Sequence, residues 1–316
     1  MRILALIPGG ISDQLLFFPT LAELKQHYAD ATIDVIVEPH AKSAYRVCQS
    51  VQDVIAFNFR DRNGMADYLN LLGVVRDHEY DIAISLENSW TLGLLLWLNG
   101  IPIRVGYQGS SSWFLTNSVP LKTEQYIAYM YHDLLQGLGI HSPCSALQIN
   151  VPKQDIAWAE EEQKSLGIAE SGYILLHDGL TKDETKQIYP MEKWQKVIED
   201  IQTKQPNLPI MLLQELDNEE WVEGMKKVLP NLKVIAPKDV GKLAAIIAGA
   251  NLMLCTDGHP LYLALAVGTY TIALFGSTEA KKCLPRDSES CIGIQSPTKT
   301  ITSIESQEIL KQMWQS

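Results

Sequence analysis

Short apolar runs alternate with longer mixed segments along this chain, and the alternation predicts its elements. "RILALI" reads as a buried strand, "DQLLFFPTLAELKQHYA" as a helix and "TIDVIVE" as the next strand. "SAYRVCQS" suits a short helix, "VQDVIAF" a strand and "MADYLNLLGVVRDH" a helix, while "YDIAISL" and "IPIRVGY" are two more strands. "SSSWFLTNSVPLKTEQ" reads as a loop, followed by a helix over "YIAYMYHDLLQGLG". This order of strand and helix predicts a parallel sheet covered by helices on both faces.

The pattern resets around "LQINVPKQDIAWAEEEQKSLGI", where Pro152 and the polar Lys153, Gln154 and Asp155 suit a connector that opens a helix. A second series follows: strand "GYILLHDG", helix "MEKWQKVIEDIQTK", strand "LPIMLLQ", helix "EEWVEGMKKVL", strand "LKVIAP" and helix "VGKLAAIIAGA". Strand "NLMLC", a helix over "LYLALAVG" capped by Gly268, strand "TYTIALFG" and a terminal helix "SQEILKQMWQS" complete it. The predicted fold class is α/β, in two parallel-sheet domains over residues 1–152 and 153–316, with a ligand cleft expected between them. Whether the terminal helix packs on the second domain or returns to the first is left open.

Composition narrows the function classes. Of 316 residues 46% are hydrophobic and 20% charged, enough apolar material for two cores. The net charge is −11, and both halves are acidic, with 9 Lys and Arg against 14 Asp and Glu up to residue 150 and 17 against 23 beyond it. Neither half has the basic character of a nucleic-acid binder. The five cysteines form no C-x-x-C pair, which suggests neither a disulfide framework nor a zinc site and fits a reducing cytoplasm. "MRILALIPGG" reads as a strand rather than a signal peptide. "TLGLLLWLNGIPI" is broken by Asn99 and Gly100 and falls short of the ~20 residues needed to span a bilayer. No transmembrane anchor is expected, and peripheral contact with a membrane surface stays open.

The chain lacks G-x-x-x-x-G-K-[ST], a G-x-G-x-x-G after the first strand, H-E-x-x-H and G-x-S-x-G. Attention therefore falls on three loops at predicted strand ends. In "PGGISDQLL", Gly9 and Gly10 permit a tight turn or close ligand approach, and Asp13 enters the first helix. Asp13 has two readings, a helix-start carboxylate or a general base facing the cleft. In "LLHDGLTKDETKQIYPMEKW", Thr181 lies in a polar loop and Lys186 is either a solvated lysine or a phosphate partner. In "CTDGHPLYL", Thr256, Asp257, Gly258, His259 and Pro260 interrupt two apolar runs. They are either an ordinary helix cap, with Asp257 or Thr256 at its head, or a ligand loop. In the second case Asp257 accepts sugar hydroxyls while helix-start amides and His259 hold phosphate.

Four blocks, in order, resemble glycosyltransferase family 9, the group that includes the lipopolysaccharide heptosyltransferases, over nearly the whole chain. They are "MRILALIPGGISDQLLFFPTLAELKQHY", "IPIRVGYQGSSSWFLTNSVPL", "LLHDGLTKDETKQIYPMEKW" and "LAAIIAGANLMLCTDGHPLYLALAVGTYTIALFGST", the last ending in Phe275, Gly276, Ser277 and Thr278. The resemblance implies a GT-B architecture of two Rossmann-like domains, the first on the acceptor side and the second holding the nucleotide-sugar donor. It further implies inverting transfer with no metal and no cofactor beyond the nucleotide-diphosphate sugar, ADP-linked by preference, to a saccharide or glycolipid acceptor. Asp13 is then the base. Lys186 and the helix start after Asp257, with Gly258 and His259, stabilise the leaving diphosphate, and Thr181 adds a hydroxyl. Gly9, Gly10, Ser12 and Tyr262 are further donor or acceptor contacts.

The chain departs from the family pattern at named positions. Gly9, Gly10, Ile11 and Ser12 stand where the family has Ser-Ser-x-Gly, and Tyr189 stands where it has Trp. In the donor loop Gly258 to Tyr262 replace the rest of Asp-Thr-Gly-x-x-His. These changes keep a rival reading alive, a nucleotide-sugar or glycan binding protein that retains the fold without turnover. A nucleotide-sugar epimerase on a similar scaffold is a third alternative.

Overall fold

The computed structural model describes residues 1–59, 64–178, 188–286 and 288–314. The chain divides into two units, Met1–Asn150 and Val151–Ser316. In the first, the elements are β1 (Arg2–Ile7), α1 (Ile11–His27), β2 (Thr32–Val37), β3 (Asp53–Ala56), α2 (Met65–Asp77) and β4 (Ile82–Ser85). They continue as α3 (Trp90–Leu98), β5 (Ile103–Tyr107), β6 (Asn117–Val119) and α4 (Ile127–His132), with 3₁₀ turns at Pro39–Val47, Ser112–Phe114 and Asp133–Leu138. The second unit contains α5 (Lys153–Ser165), β7 (Ile174–His177), α6 (Met191–Lys204), β8 (Ile210–Leu213), α7 (Glu219–Val228), β9 (Lys233–Ile235) and α8 (Val240–Ala248). It ends with β10 (Leu252–Thr256), α9 (His259–Val267), β11 (Thr271–Phe275), α10 (Ala280–Cys283), β12 (Cys291–Gln295) and α11 (Ser306–Trp314).

Both sheets are six-stranded and parallel, and they share one topology: β3-β2-β1-β4-β5-β6 in the first unit and β12-β11-β10-β7-β8-β9 in the second. Each is therefore wound outward from its first strand in one direction and then from its fourth in the other. The order reverses between β1 and β4, and between β7 and β10. At such a reversal the connections leave to opposite faces, and a crevice opens at the carboxyl ends of the two central strands.

The strands form where the sequence is apolar on both faces, as a sheet covered on both sides requires. β1, β7, β8 and β11 are buried along almost their entire length. In the second unit the core gathers Trp194, Val197 and Ile201 from α6, Trp221 and Met225 from α7, and Ile309 from α11 against the sheet. Tyr189, in place of the family's tryptophan, is buried, meets Trp194 edge-on at 4.9 Å and donates its hydroxyl to Ile304 O. The terminal helix packs on α6 of its own domain, where Trp314 Nε1 donates to Asp200 and Lys193 Nζ reaches Thr302 O, Ile304 O and Glu305.

Three of the differences from the sequence expectation concern the segments after β5, before Asn99 and after β10, and each has a physical cause. The segment expected as a loop after β5 holds a 3₁₀ turn and the edge strand β6, too short at three residues to show a period. "TLGLLLWLNG" is the helix α3, and it lacks an amphipathic pattern because it is apolar all round. The helix after β10 begins at His259 with Gly258 as N-cap; neither Asp257 nor Thr256 fills that place, because Thr256 still belongs to the strand.

Candidate functional site

The reversal point of the first sheet carries the Gly9 to Asp13 loop. Gly9 has φ +106°, and a Cβ there would lie 2.2 Å from Asp13 Oδ2, so the bare backbone lets the carboxylate fold back over the turn. Asp13 stands in the first turn of α1, where Oδ2 accepts the Gly10 amide at 2.8 Å. Oδ1 accepts the Tyr131 hydroxyl from α4, also at 2.8 Å. Burial, and then the charge of Asp13, raise the Tyr131 pKa far above its ordinary value, so this hydroxyl stays a donor. Asp13 is thus both a helix cap and a carboxylate clamped from two sides, still partly open to solvent. Ser12 and Gly10 sit beside it, both partly exposed.

The reversal point of the second sheet is built from four strand ends and turns. Glu215, just beyond β8, lies between two imidazoles: His177 Nε2 is 3.0 Å from Oε2, and His259 Nε2 is 2.9 Å from Oε1. Burial pushes the Glu215 pKa up, but the two imidazole hydrogen bonds outweigh it and hold the carboxyl well below its usual range. Asn218 fixes the turn, its amide oxygen accepting Glu215 N and its amide nitrogen donating to Asp178 O and Leu213 O. Asp178, fully buried, receives Trp194 Nε1 at 2.8 Å and the Thr256 hydroxyl at 3.3 Å. Burial nevertheless raises its pKa to about 6.

The start of α9 completes this cluster. Its backbone dipole places positive potential beside Gly258 and His259, the place where an anion is stabilised, although Pro260 removes one amide donor. The Nδ1 atom of His177 is buried without a hydrogen-bond partner among the described residues. Both Nε2 atoms are committed to opposite oxygens of one carboxylate and so do not converge on a point. No group of three or more His, Cys, Asp or Glu among the described residues is placed to hold a metal ion.

Two clusters of expected residues are therefore brought together, Gly9, Gly10, Ser12 and Asp13 in one domain and Asp257, Gly258 and His259 in the other. Tyr262 lies on the buried side of α9, with 3% of its surface exposed, and its ring belongs to the packing of the domain. Thr181 and Lys186 lie outside the described residues. Sequence reasoning missed Tyr131, Asp178, Glu215 and Asn218. Asp178 and Glu215 carried a signal: Asp178 lies at the end of one predicted strand and Glu215 directly after another, which in a parallel sheet means the carboxyl edge. A cavity of about 340 Å³ in the first domain, lined by His132, His141 and Cys144 among others, touches none of the expected site residues.

A family model described as glycosyltransferase family 9 (heptosyltransferase) matches residues 69–313. Lipopolysaccharide heptosyltransferase 3 of Escherichia coli is 22% identical, over 84% of this chain and 81% of that protein. At the same 22% identity the chain matches an Arabidopsis thaliana protein named photosynthetic NDH subunit of subcomplex B 1, chloroplastic, over 96% of its own length and 71% of that protein. Among solved structures, E. coli ADP-heptose LPS heptosyltransferase II superposes with a TM-score of 0.81 at 16% identity, covering 99% of this chain and 97% of that one. The two doubly wound sheets are thus the fold of that enzyme.

Proposed function

The chain belongs to glycosyltransferase family 9, and from that membership we propose that it moves a sugar from a nucleotide-diphosphate donor to a hydroxyl of a saccharide or glycolipid acceptor, with inversion at the anomeric carbon. The observation that carries this reading is the pairing of two different chemistries at two equivalent places. One reversal point presents a clamped carboxylate, Asp13; the other presents a helix start beside an ionised carboxylate and two imidazoles.

In this mechanism the acceptor oxygen attacks the anomeric carbon and its proton passes to the Asp13 carboxylate. The new bond forms as the bond from that carbon to the diphosphate oxygen breaks, and the bonding pair leaves with the nucleotide. The start of α9 and Lys186 take up the developing negative charge. Fixed hydrogen bonds to both oxygens of Asp13 hold the base in one orientation, which lowers the cost of reaching the reactive geometry. Glu215 and Asp257 supply acceptors for the hydroxyls of the donor. The E. coli structural relative is named an ADP-heptose enzyme, which makes ADP-heptose the first donor to test.

A second reading, a binding subunit without turnover, is favoured by two observations. A relative over nearly the full chain is named as a subunit of a larger complex, and the donor loop here lacks the family's threonine and final histidine. One experiment separates the readings. Calorimetric titration with ADP, UDP, GDP and their sugar conjugates should give micromolar binding to one nucleotide, weakened by Asp257→Ala. With the donor so found, transfer should be abolished in Asp13→Asn while donor affinity stays within a few-fold. Binding without transfer by the native protein over a broad acceptor panel supports the subunit reading, and equal loss of binding and transfer in Asp13→Asn removes Asp13 from the role of base.

A further inference from the structure

On the reading of the second domain as the nucleotide half, we propose that His259 sets the preference for a diphosphate by changing partner. Its imidazole leaves Glu215 when a donor hydroxyl arrives there and hydrogen-bonds the diphosphate instead. The two imidazoles on Glu215 are unequal. His177, at the end of β7, has a side chain 4% exposed, and its Nδ1 is buried with no partner among the described residues. A second proton on that ring would bury an unpaired N–H, so His177 is the Nε2–H tautomer and a fixed donor to Oε2. His259 is 26% exposed and reaches Oε1 from the first position of α9. It is the partner nearer solvent, so a ligand approaching Oε1 meets this ring first. A Cβ at Gly258 would meet only Pro260 Cδ among the described residues, at 3.5 Å, so the backbone just before the ring is not packed over.

Both positions of the ring have a chemical reason. Glu215 stands just past β8, the strand beside the central β7, and in doubly wound nucleotide-binding sheets an acidic residue beyond the first strand accepts ribose hydroxyls. Its carboxyl is held below the usual range, so it is ionised and attracts such donors. The start of α9, by contrast, is short of amides. Pro260 has no N–H, and Leu261 N donates to Gly258 O at 3.1 Å. A helix start ordinarily offers its first free N–H groups to an anion, so a phosphate here needs a further donor. His259 carries that donor on the same turn, and a bond from an imidazole N–H to a charged oxygen is among the stronger hydrogen bonds. Charge favours the exchange as well. Glu215, Asp257 and the buried Asp178 share this carboxyl edge with His177, and an imidazole placed against the diphosphate offsets their repulsion of it. One ring thereby couples the two ends of the ligand: a hydroxyl releases it and a phosphate captures it.

The test measures, by calorimetry on the full chain, affinities for adenosine and ADP, with uridine and UDP and guanosine and GDP alongside. In His259→Ala the nucleoside of the preferred pair should bind about threefold or more tighter, because Oε1 is released, and its diphosphate about tenfold or more weaker. Equal weakening of both would make His259 a static contact, tightening of both a plain obstruction, and no change a bystander; each overturns the proposal. A second measurement uses the native protein with nitrogen-15 in its histidines. The nucleoside should shift the His259 ring signals, and the diphosphate should move them to a different position, while those of His177 hold. His259 signals that give the same shift with both ligands, or none, overturn the exchange even where the variant fails to fold. Absence of binding by the native protein to every pair removes the nucleotide reading itself and this inference with it, a failure seen before any variant is made.

Discussion

At the scale of single residues, the first-domain site depends on what is missing at position 9. A Cβ there would collide with the Asp13 carboxylate, and the backbone at φ +106° is one that L side chains rarely adopt. Gly9→Ala should therefore cost about 1–3 kcal/mol of stability in the first domain and also break the Gly10 N–H to Asp13 bond. Chemical denaturation reads the first effect; transfer activity lost while nucleotide affinity is kept reads the second. A variant as stable and as active as the native protein would show that the turn relaxes freely. Asp13 and the glycines were legible in sequence because strand, small residues and helix start are consecutive. Tyr131 was not, since it reaches Asp13 from a helix more than a hundred residues away and no local pattern marks that meeting.

At the scale of elements, the ends of β7, β10 and α6 meet on one buried carboxyl. Asp178 is held by Trp194, Thr256 and the Tyr189 backbone, yet its pKa is about 6 instead of 3.8, because these hydrogen bonds do not replace lost hydration. The sign follows from proton binding: between pH 3.8 and about 6 the folded protein holds this proton more tightly than the unfolded chain. This group therefore lowers stability as pH rises through that window, by about 3 kcal/mol once fully ionised. Glu215 has the opposite sign. Its folded pKa is depressed, so its contribution is present above its unfolded value of 4.5 and falls away below it. Asp178→Asn keeps the shape and lets its amide nitrogen donate to the Thr256 oxygen while the Trp194 bond survives. The variant should melt a few degrees higher at pH 7, with the difference shrinking as pH falls toward 4; a constant difference across pH would mean that packing, not ionisation, is responsible.

The same scale shows why some elements were readable and others were not. Helices with one apolar face, such as α6 and α7, were placed at or within one residue of their bounds from spacing alone. α3 escaped because both of its faces are apolar, which erases the period that marks a helix. β6 and α10, three and four residues long, are too short for periodicity, and β12 alternates only weakly, with Gly293 at its centre. The loop residues of the second domain divided differently: Asp257 and His259 stood out as polar interruptions, while Glu215 was missed, because its two imidazole partners come from elements distant in sequence.

At the scale of the whole molecule, two domains repeat one strand order and differ in what they place at its reversal. Every hydrogen bond described at the second reversal point, from His177, Asp178, Glu215, Asn218, Thr256 and His259, closes within residues 151–316. The terminal helix belongs to the same unit, so cutting at the Asn150–Val151 junction removes no part of that core. A fragment of residues 151–316 should therefore unfold cooperatively on its own and bind the preferred nucleotide within a few-fold of the full chain, yet transfer no sugar, because the proposed base lies in the other half. Calorimetry and thermal melting on the fragment check both parts. A fragment that folds but does not bind would mean that the first domain supplies part of the nucleotide site, and the division into acceptor and donor halves would have to be redrawn.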